Sequence, residues 1–517
     1  MTQYHQPRSD TYAASNGDHL EVIPLGSAIN EMNRADTTES TVTNDQQQPQ
    51  TMTPLQRRNI VFLVLGFSCV VAGLTLIVGT GPIVIQSIGG SAAIAPMSLA
   101  CFFLGMSVVS CTVTHWCFEN YGWKFGFWFG CVLTVLGSTT SCVGLWMSST
   151  AIVLFSNVIL GAGAGIGMYL RFASVDVLPQ AFASKGVTWT LCGGCLAAFV
   201  GPEVAAAVTG AFGDGYLTFF GVFVVTICFA VAQAVFIGLV AFGKLSVNAP
   251  ENEGKIGDDE MEIVTGKVKD DQTSNDTDTT LVSLLKRSDF LLPLFVSVLS
   301  WSIMAQPMSI FRVAMREVGF TDRQSLTVIE FHFLAMYSPG FISGWFIEKF
   351  GTLRSSQVAI STFLLGTAIN LSTQANSNGT VSWFLGMVFL GIGWNFGYSG
   401  ATVWVTKVYA AAPHFKSKVQ AANESLTFFL SGILIFSTGY IYNAGGASID
   451  GWRVLNYFIL GLIAILICLV LLAMQHEKTH SSSGSSSKRE SSFEDARTAD
   501  RIIDITVLPE QSEELEL

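Results

Sequence analysis

The sequence predicts an all-α integral membrane protein whose twelve transmembrane helices form two parallel six-helix repeats. Three observations support this fold class. Half of the residues are hydrophobic and 13% are charged, which is about half the charge fraction of soluble domains. Uncharged stretches long enough to cross a bilayer recur along the chain. Short landmarks in the first half also recur in the second half at a constant distance.

The uncharged stretches are divided into single spans by glycine-rich or polar breaks. No Asp, Glu, Lys or Arg occurs between Arg58 and Glu119, and breaks at 79–82 and 89–91 divide this stretch into two helices. A span needs about 20 apolar residues. The same criterion predicts two helices each within 124–171 and 354–407, and single helices at 187–210, 216–243, 290–311, 325–347, 420–442 and 454–474.

Polar segments flank and separate the two sets of helices. The predicted organisation is a disordered N-terminal tail at 1–56, a six-helix bundle at 57–243, a disordered linker at 244–286, a second six-helix bundle at 287–474 and a disordered C-terminal tail at 475–517. Most of the net charge of −11 lies in these tails and the linker. It therefore indicates solvated flexible segments and does not suggest nucleic-acid binding.

Lysine and arginine are distributed unequally between the two sets of connections, which predicts the orientation. The richer set contains Arg57, Arg58, Lys124, Arg171, Lys185, Lys349, Arg354, Lys407, Lys416, Lys418 and the linker, and the poorer set contains Arg312, Arg316, Arg323 and Arg453. The richer set should be cytosolic, together with both termini. We expect a plasma-membrane location. Asn378 begins an N-glycosylation sequon in a predicted outer loop.

The ten cysteines give no sign of a metal or redox centre. They lie within or at the end of apolar runs and lack neighbours suited to bind zinc. Cys192 and Cys195 form a C-x-x-C pattern inside a predicted membrane helix. We interpret them as packing residues, and we expect neither a metal nor a cofactor.

An internal duplication relates the two halves of the chain. The segment His115–Gly122 parallels Gly344–Gly351 at an offset of 229 residues, and Leu160–Gly163 parallels Leu390–Gly393 at 230. Chance similarity between apolar segments explains one match easily and a constant offset poorly. The offset therefore predicts two six-helix halves of the same direction, with a binding site at their interface.

The paired segments resemble the signature of the major facilitator superfamily, G-x-x-x-D-R/K-x-G-R/K-R/K, which follows helix 2 and is echoed after helix 8. The second copy here retains Gly344, Glu348, Lys349, Gly351 and Arg354, whereas the first retains Glu119, Gly122 and Lys124 but has His115, Asn120 and Trp123 at other positions. The resemblance implies that both turns act in a cytosolic gate. The alternative for either copy taken alone is a charged cytosolic turn with a structural role only.

Three further segments resemble a subgroup of uncharacterised bacterial-type permeases within this superfamily. They run from Arg171 through Glu203, from His332 through Gly351 and from Gly391 through Asn423. The superfamily resemblance covers about 57–475 without the linker and the tails, and the subgroup resemblance does not define a substrate.

Polar residues inside the predicted spans are candidates for binding a solute or carrying a proton, because such groups are costly in a bilayer. The candidates are Glu203, Gln306, Pro307, Glu330, His332, Trp394 and Asn395. Pro307 removes a helical hydrogen bond and can kink its helix. Glu330 and His332 lie about 200° apart around one helix, so at most one of them faces a central cavity squarely. The alternative for each polar group is a contact with a neighbouring helix.

These features together favour a monomeric secondary active transporter that moves a small organic solute by alternating access, coupled to protons. A second hypothesis is a transporter-like receptor that binds a solute without net transport, and solute uptake by reconstituted vesicles would exclude it. A membrane enzyme is disfavoured because no nucleophile with a nearby base and no phosphate loop is evident. A channel is disfavoured because nothing suggests a selectivity ring.

Overall fold

The computed structural model describes residues 51–179, 182–242, 280–374, 380–410 and 415–505, and these segments are helical apart from their connecting turns. Nine helices among them are long and apolar enough to cross a membrane. The short apolar helix Met97–Val113 is a tenth span. Two further spans are more polar, one at 322–350 and one at Thr352–Leu371, and they bring the total among the described residues to twelve. The predicted number of spans is therefore confirmed.

The spans follow one another with short connections within each half. Spans 1 to 6 are Pro54–Ser87, the two parts of Met97–Trp146 on either side of Gly122, Thr150–Gly167 with Leu170–Asp176, Ala183–Val208 and Phe220–Leu239. Spans 7 to 12 are Ser288–Glu317, Asp322–Tyr337 with Gly340–Phe350, Thr352–Leu371, Thr380–Ala410, Lys416–Ala444 and the first part of Ser448–Ile505. A 3₁₀ turn at Gly215–Phe219 precedes span 6, and a short helix at Leu281–Leu285 precedes span 7.

Span 1 begins slightly before the predicted boundary at residue 57, because Thr53 caps it. The backbone N–H of Gln56 donates to Thr53 Oγ1 at 3.3 Å, and the backbone N–H of Thr53 donates to Gln56 Oε1 at 2.8 Å. Pro54 occupies the first helical turn, where its missing N–H costs nothing. This capping box fixes the start of the helix.

The last helix differs from the prediction at its C-terminal end. It continues to Ile505, into the segment 475–517 for which the sequence predicts disorder. No proline interrupts Ser448–Ile505, and extending an existing helix avoids the cost of nucleation. Residues 1–50 of the predicted N-terminal tail, residues 244–279 of the predicted linker and the sequon at Asn378 lie outside the described residues.

The two halves share one unusual turn. Gly122 joins spans 2 and 3 with φ 76° and ψ 171°, and Gly351 joins spans 8 and 9 with φ 85° and ψ 168°. Only glycine adopts this backbone region readily. The two glycines lie 229 residues apart in the sequence, so their shared backbone conformation agrees with the predicted duplication. We call the side of the bundle that carries both turns the inner side, and the opposite side the outer side.

Two pairs of spans join the halves, span 5 with span 8 and span 2 with span 11. Glycines permit close approach in both pairs. A methyl group at Gly194 of span 5 would overlap the ring of Tyr337 in span 8, and one at Gly439 of span 11 would overlap the backbone of Ala93, in the turn that leads into span 2. The region between these two seams, where spans 1, 4, 7 and 10 also meet, is therefore enclosed by both halves.

Candidate functional site between the two halves

A buried ion pair joins the halves near the inner side. Arg171 of span 4 donates from Nη2 to Glu424 Oε1 of span 11 at 2.8 Å, and the two side chains are 6% and 4% exposed. The Tyr398 hydroxyl of span 10 lies 2.8 and 2.9 Å from the two Glu424 oxygens and accepts from Arg171 Nη2 at 2.9 Å. Additional hydrogen bonds of this kind offset the cost of burying charge. We call these three residues the inner triad.

Aromatic rings pack against the outward side of the inner triad and form what we call the aromatic cluster. Its members are Phe103, Trp301, Tyr337, Trp394, Tyr398 and Phe428. Trp301 is central, with ring centroids 4.9 Å from Trp394, 5.5 Å from Tyr398 and 5.3 Å from Phe103. Phe103 belongs to the first half and the others to the second half, so the cluster crosses the interface.

Several polar hydrogens of this region have no acceptor among the described residues. They are carried by Trp301 Nε1, Trp394 Nε1, the Tyr337 hydroxyl and Arg171 Nε, all of which are buried. An unsatisfied buried donor typically costs about 1–3 kcal/mol. These four donors are therefore available to hydrogen-bond acceptors of a bound molecule or of water.

The outer side is joined by an exposed ion pair. Glu203 of span 5 accepts from Arg323 of span 8 through both carboxylate oxygens, at 2.5 and 2.9 Å. The Glu203 and Arg323 side chains are 50% and 56% exposed. Glu203 is therefore placed at the outer surface and not in the centre, because span 5 ends only five residues later at Val208.

Glu330 lies beside this pair but is buried. Glu330 follows Arg323 by two turns of span 8, so the two residues share one face of that helix, and Glu330 Oε1 has no partner among the described residues. A carboxylate only accepts hydrogen bonds, so a bond between two carboxyl groups requires a proton on one of them. Glu203, Glu330 and Arg323 thus form a cluster with two acids and one base, which we call the outer triad.

A second contact closes the outer side between spans 1 and 7. Arg312 is buried, and its guanidinium donates to the Gly79 carbonyl of the first half. The same group donates to Ser325 Oγ at 2.9 Å and to Asp322 Oδ1 at 3.2 Å. We refer to the outer triad and the Arg312–Gly79 contact together as the outer closure, and to the inner triad as the inner closure.

The other predicted central candidates are all buried within the second half. His332 Nδ1 lies 2.7 Å from the Met387 carbonyl, and Asn395 Nδ2 donates to the Met336 carbonyl at 2.7 Å. Both contacts fit the interhelical alternative. Gln306 has no partner for either amide atom among the described residues, and span 7 remains helical through Pro307. Trp394 is itself a member of the aromatic cluster.

The residues of the first predicted gate motif lie at the inner side. Lys124 donates to the Gly238 carbonyl at the end of span 6, at 2.9 Å, where a cation complements the helix dipole. Glu119 is exposed. The Trp123 indole, which occupies a basic position of the signature, donates to Asp176 Oδ2 at 2.6 Å. This turn is therefore tied to spans 4 and 6 of its own half.

The second copy of the motif is more exposed. Glu348 and Arg354 face solvent, and Lys349 lies over the ring of Trp345 at 5.0 Å. A methyl group at Gly344 would just reach Thr188 of span 5 in the other half. This copy therefore lies at the cross-half seam, whereas the first copy contacts its own half.

The candidates predicted from the sequence do not include Trp301, Tyr398, Glu424 or Arg312. Glu424 carries a detectable signal, because it is an acid within the predicted helix 420–442. Arg312 lies just beyond the predicted helix 290–311, whereas span 7 continues to Glu317 and so contains it. Trp301 and Tyr398 carry no local signal in a chain with 12% aromatic residues.

Comparisons with known proteins agree with this architecture. The family model described as Major Facilitator Superfamily matches residues 62–436. The riboflavin transporter RfnT of Brucella anthropi is 24% identical over 421 residues, which cover 81% of this chain and 96% of the relative. The uncharacterised MFS-type transporter YddS of Bacillus subtilis is 23% identical over 429 residues, which cover 82% and 91%.

Solved structures show the same fold at lower sequence identity. The nucleoside transporter NupG aligns with a TM-score of 0.59 at 12% identity, covering 81% of this chain and 99% of that protein. A D-xylose–proton symporter aligns with a TM-score of 0.55 at 12% identity, covering 79% and 96%. The predicted fold and the predicted resemblance are both confirmed, and the chain is a multi-pass membrane protein that belongs to the major facilitator superfamily.

Proposed function

We propose that this protein is a secondary active transporter that moves a small organic solute by alternating access. The observation that carries the proposal is the pair of closures at opposite ends of one interface. The inner closure links Arg171 to Glu424, and the outer closure links Glu203 to Arg323 and Arg312 to Gly79. Unpartnered donors and aromatic rings lie between them. Opening one closure while the other holds exposes this region to one side at a time.

Proton coupling is assigned to the outer triad in this proposal. Arg323 balances one of the two carboxylates, so ionisation of both Glu203 and Glu330 leaves one excess negative charge at the outer end of the interface. A proton on Glu330 removes this charge and allows the carboxyl groups to share a hydrogen bond. Loss of the proton favours separation of spans 5 and 8. Proton binding therefore biases which side is closed.

The solute to test first is a flavin. The relative RfnT is named as a riboflavin transporter, and the aromatic cluster offers flat apolar faces beside hydrogen-bond donors. Stacking on aromatic rings suits a fused-ring solute. We also propose that the Gly122 and Gly351 turns face the cytosol, that both termini do so, and that the protein acts as a monomer in the plasma membrane.

Uptake by reconstituted vesicles tests the proposal. Purified protein in liposomes should accumulate radiolabelled riboflavin, and an imposed pH gradient should change the initial rate severalfold. Glu330→Gln should abolish the response to the gradient while uptake down a riboflavin gradient persists. Glu317→Gln provides a matched control, because Glu317 bonds Tyr442 within the second half. Binding of riboflavin without uptake under any gradient would contradict transport and favour the receptor hypothesis.

A further inference from the structure

The inner triad presents both a donor and an acceptor to the aromatic cluster. Arg171 offers N–H groups, and Glu424 offers carboxylate oxygens, within one buried pair 2.8 Å apart. Their shared partner Tyr398 stacks on Trp394, with ring centroids 5.4 Å apart and an angle of 22° between the planes. A flat molecule lying along these rings therefore meets the ion pair with its edge and not with its face.

The other unpartnered donors indicate which groups the edge of a bound flat molecule must carry. Trp301 Nε1, Trp394 Nε1 and the Tyr337 hydroxyl are buried and lack acceptors among the described residues, as does Arg171 Nε. Donors without acceptors require a solute that supplies carbonyl oxygens or unprotonated ring nitrogens. Glu424 offers the opposite, a carboxylate that can accept from an N–H once its contact with Arg171 opens. A complementary edge therefore carries both acceptors and an N–H group.

We propose, on the basis of the transport function proposed above, that the site recognises a planar fused-ring heterocycle through an imide edge, the arrangement C=O, N–H, C=O. The carbonyl groups accept from Arg171 and the indole or phenol donors, and the N–H donates to Glu424. One of the two indoles, Trp301 or Trp394, contacts a face of the heterocycle and the other contacts its edge, because the two rings lie at 74° to each other.

This recognition also explains how a bound solute opens the inner closure. Separating a buried ion pair is costly when each charge loses its partner. An imide edge replaces both partners at once, because it supplies an acceptor for Arg171 and a donor for Glu424. The empty protein lacks this replacement, so its inner closure stays shut. Phe103 is the ring contributed by the first half, and its separation from Trp301 exposes the face on which the solute stacks.

Methylation of the imide nitrogen tests the inference without altering the protein. Binding of riboflavin and of N3-methylriboflavin is measured by quenching of tryptophan fluorescence in purified protein, and uptake is measured in vesicles. We expect the methyl derivative to bind at least about tenfold more weakly, since a hydrogen bond to a charged group is lost. Equal binding of both compounds would overturn the imide inference while leaving riboflavin transport intact. Absence of riboflavin uptake together with absence of binding would instead refute the flavin proposal on which the inference rests.

A pair of conservative variants locates the binding site. Trp394→Phe keeps a ring but removes one unpartnered donor of the aromatic cluster, and Trp383→Phe removes a buried indole N–H on the same span outside that cluster. We expect Trp394→Phe to weaken riboflavin binding about threefold to tenfold and Trp383→Phe to leave it unchanged. Equal effects of the two substitutions would contradict the assigned location.

Discussion

The inner and outer closures link the same two halves but differ in their environment. The inner pair, Arg171 with Glu424, is nearly inaccessible to solvent and is held by a phenol. The outer pair, Glu203 with Arg323, is about half exposed on each side. Exposed pairs exchange protein contacts for water at little cost, whereas buried pairs need a replacement partner. The outer ion pair should therefore separate readily, and the inner pair only when a solute supplies new partners. Opening of the outer side also breaks the buried contact of Arg312 with the Gly79 carbonyl.

The largest expected effect follows from removing one member of the buried pair. Glu424→Ala leaves the Arg171 charge buried without its counterion, which should destabilise the protein by about 3–5 kcal/mol. Thermal unfolding in detergent measures this loss. The double variant Arg171→Met with Glu424→Ala should recover part of it, because no charge is then stranded. Unfolding of the single variant at the wild-type temperature would show that the pair is not buried in the folded protein.

A smaller effect is expected at the exposed pair. Glu203→Gln should change the uptake rate only severalfold and leave the unfolding temperature close to that of the wild type. High salt should reduce the difference between variant and wild type, because it screens exposed charges. Exchanging the charges, with Glu203→Arg and Arg323→Glu together, should restore uptake. A stability loss as large as that of Glu424→Ala would mean that both closures are equally buried.

The smallest effect on stability is expected at the inner turn. Glu348→Ala removes an exposed acid beside the Gly351 turn. Folding and equilibrium binding of the solute should therefore be nearly unchanged. The rate of uptake should fall, because the gate motif acts during the change between the outward-open and inward-open states. Initial uptake rates and equilibrium binding measured on the same preparation separate these effects. Asp214→Ala, at an exposed acid of the outer connection that precedes span 6, is the control. Unchanged turnover in Glu348→Ala would remove this residue from the gate.

Most of the architecture could be predicted from the sequence because it depends on local or periodic information. Stretches without charge locate the spans, and the offset of 229 residues between Gly122 and Gly351 relates the halves. The matching φ and ψ values of these glycines show that the offset reflects a shared backbone turn. The exact ends were less predictable, since the start of span 1 depends on the Thr53 cap.

The site was less predictable because it is built from contacts between distant segments. Glu424 gains its importance from Arg171, which lies 253 residues away in the sequence. Trp301 is one of 11 tryptophans, and only packing shows that it lies at the centre of the aromatic cluster. Glu203 is a second example, because its pairing with Arg323 of the other half cannot be read from its position near the end of span 5.

The distance between Arg171 and Glu424 along the chain has a consequence for biosynthesis. The ribosome completes Glu424 253 residues after Arg171, a delay of roughly 13 to 50 s at typical elongation rates. During that time the arginine must remain near the inner membrane boundary, where its long side chain can reach water. Closure of the pair marks arrival of span 11. A chain that stops earlier carries an uncompensated cation, which gives cellular quality control a means to recognise an incomplete protein.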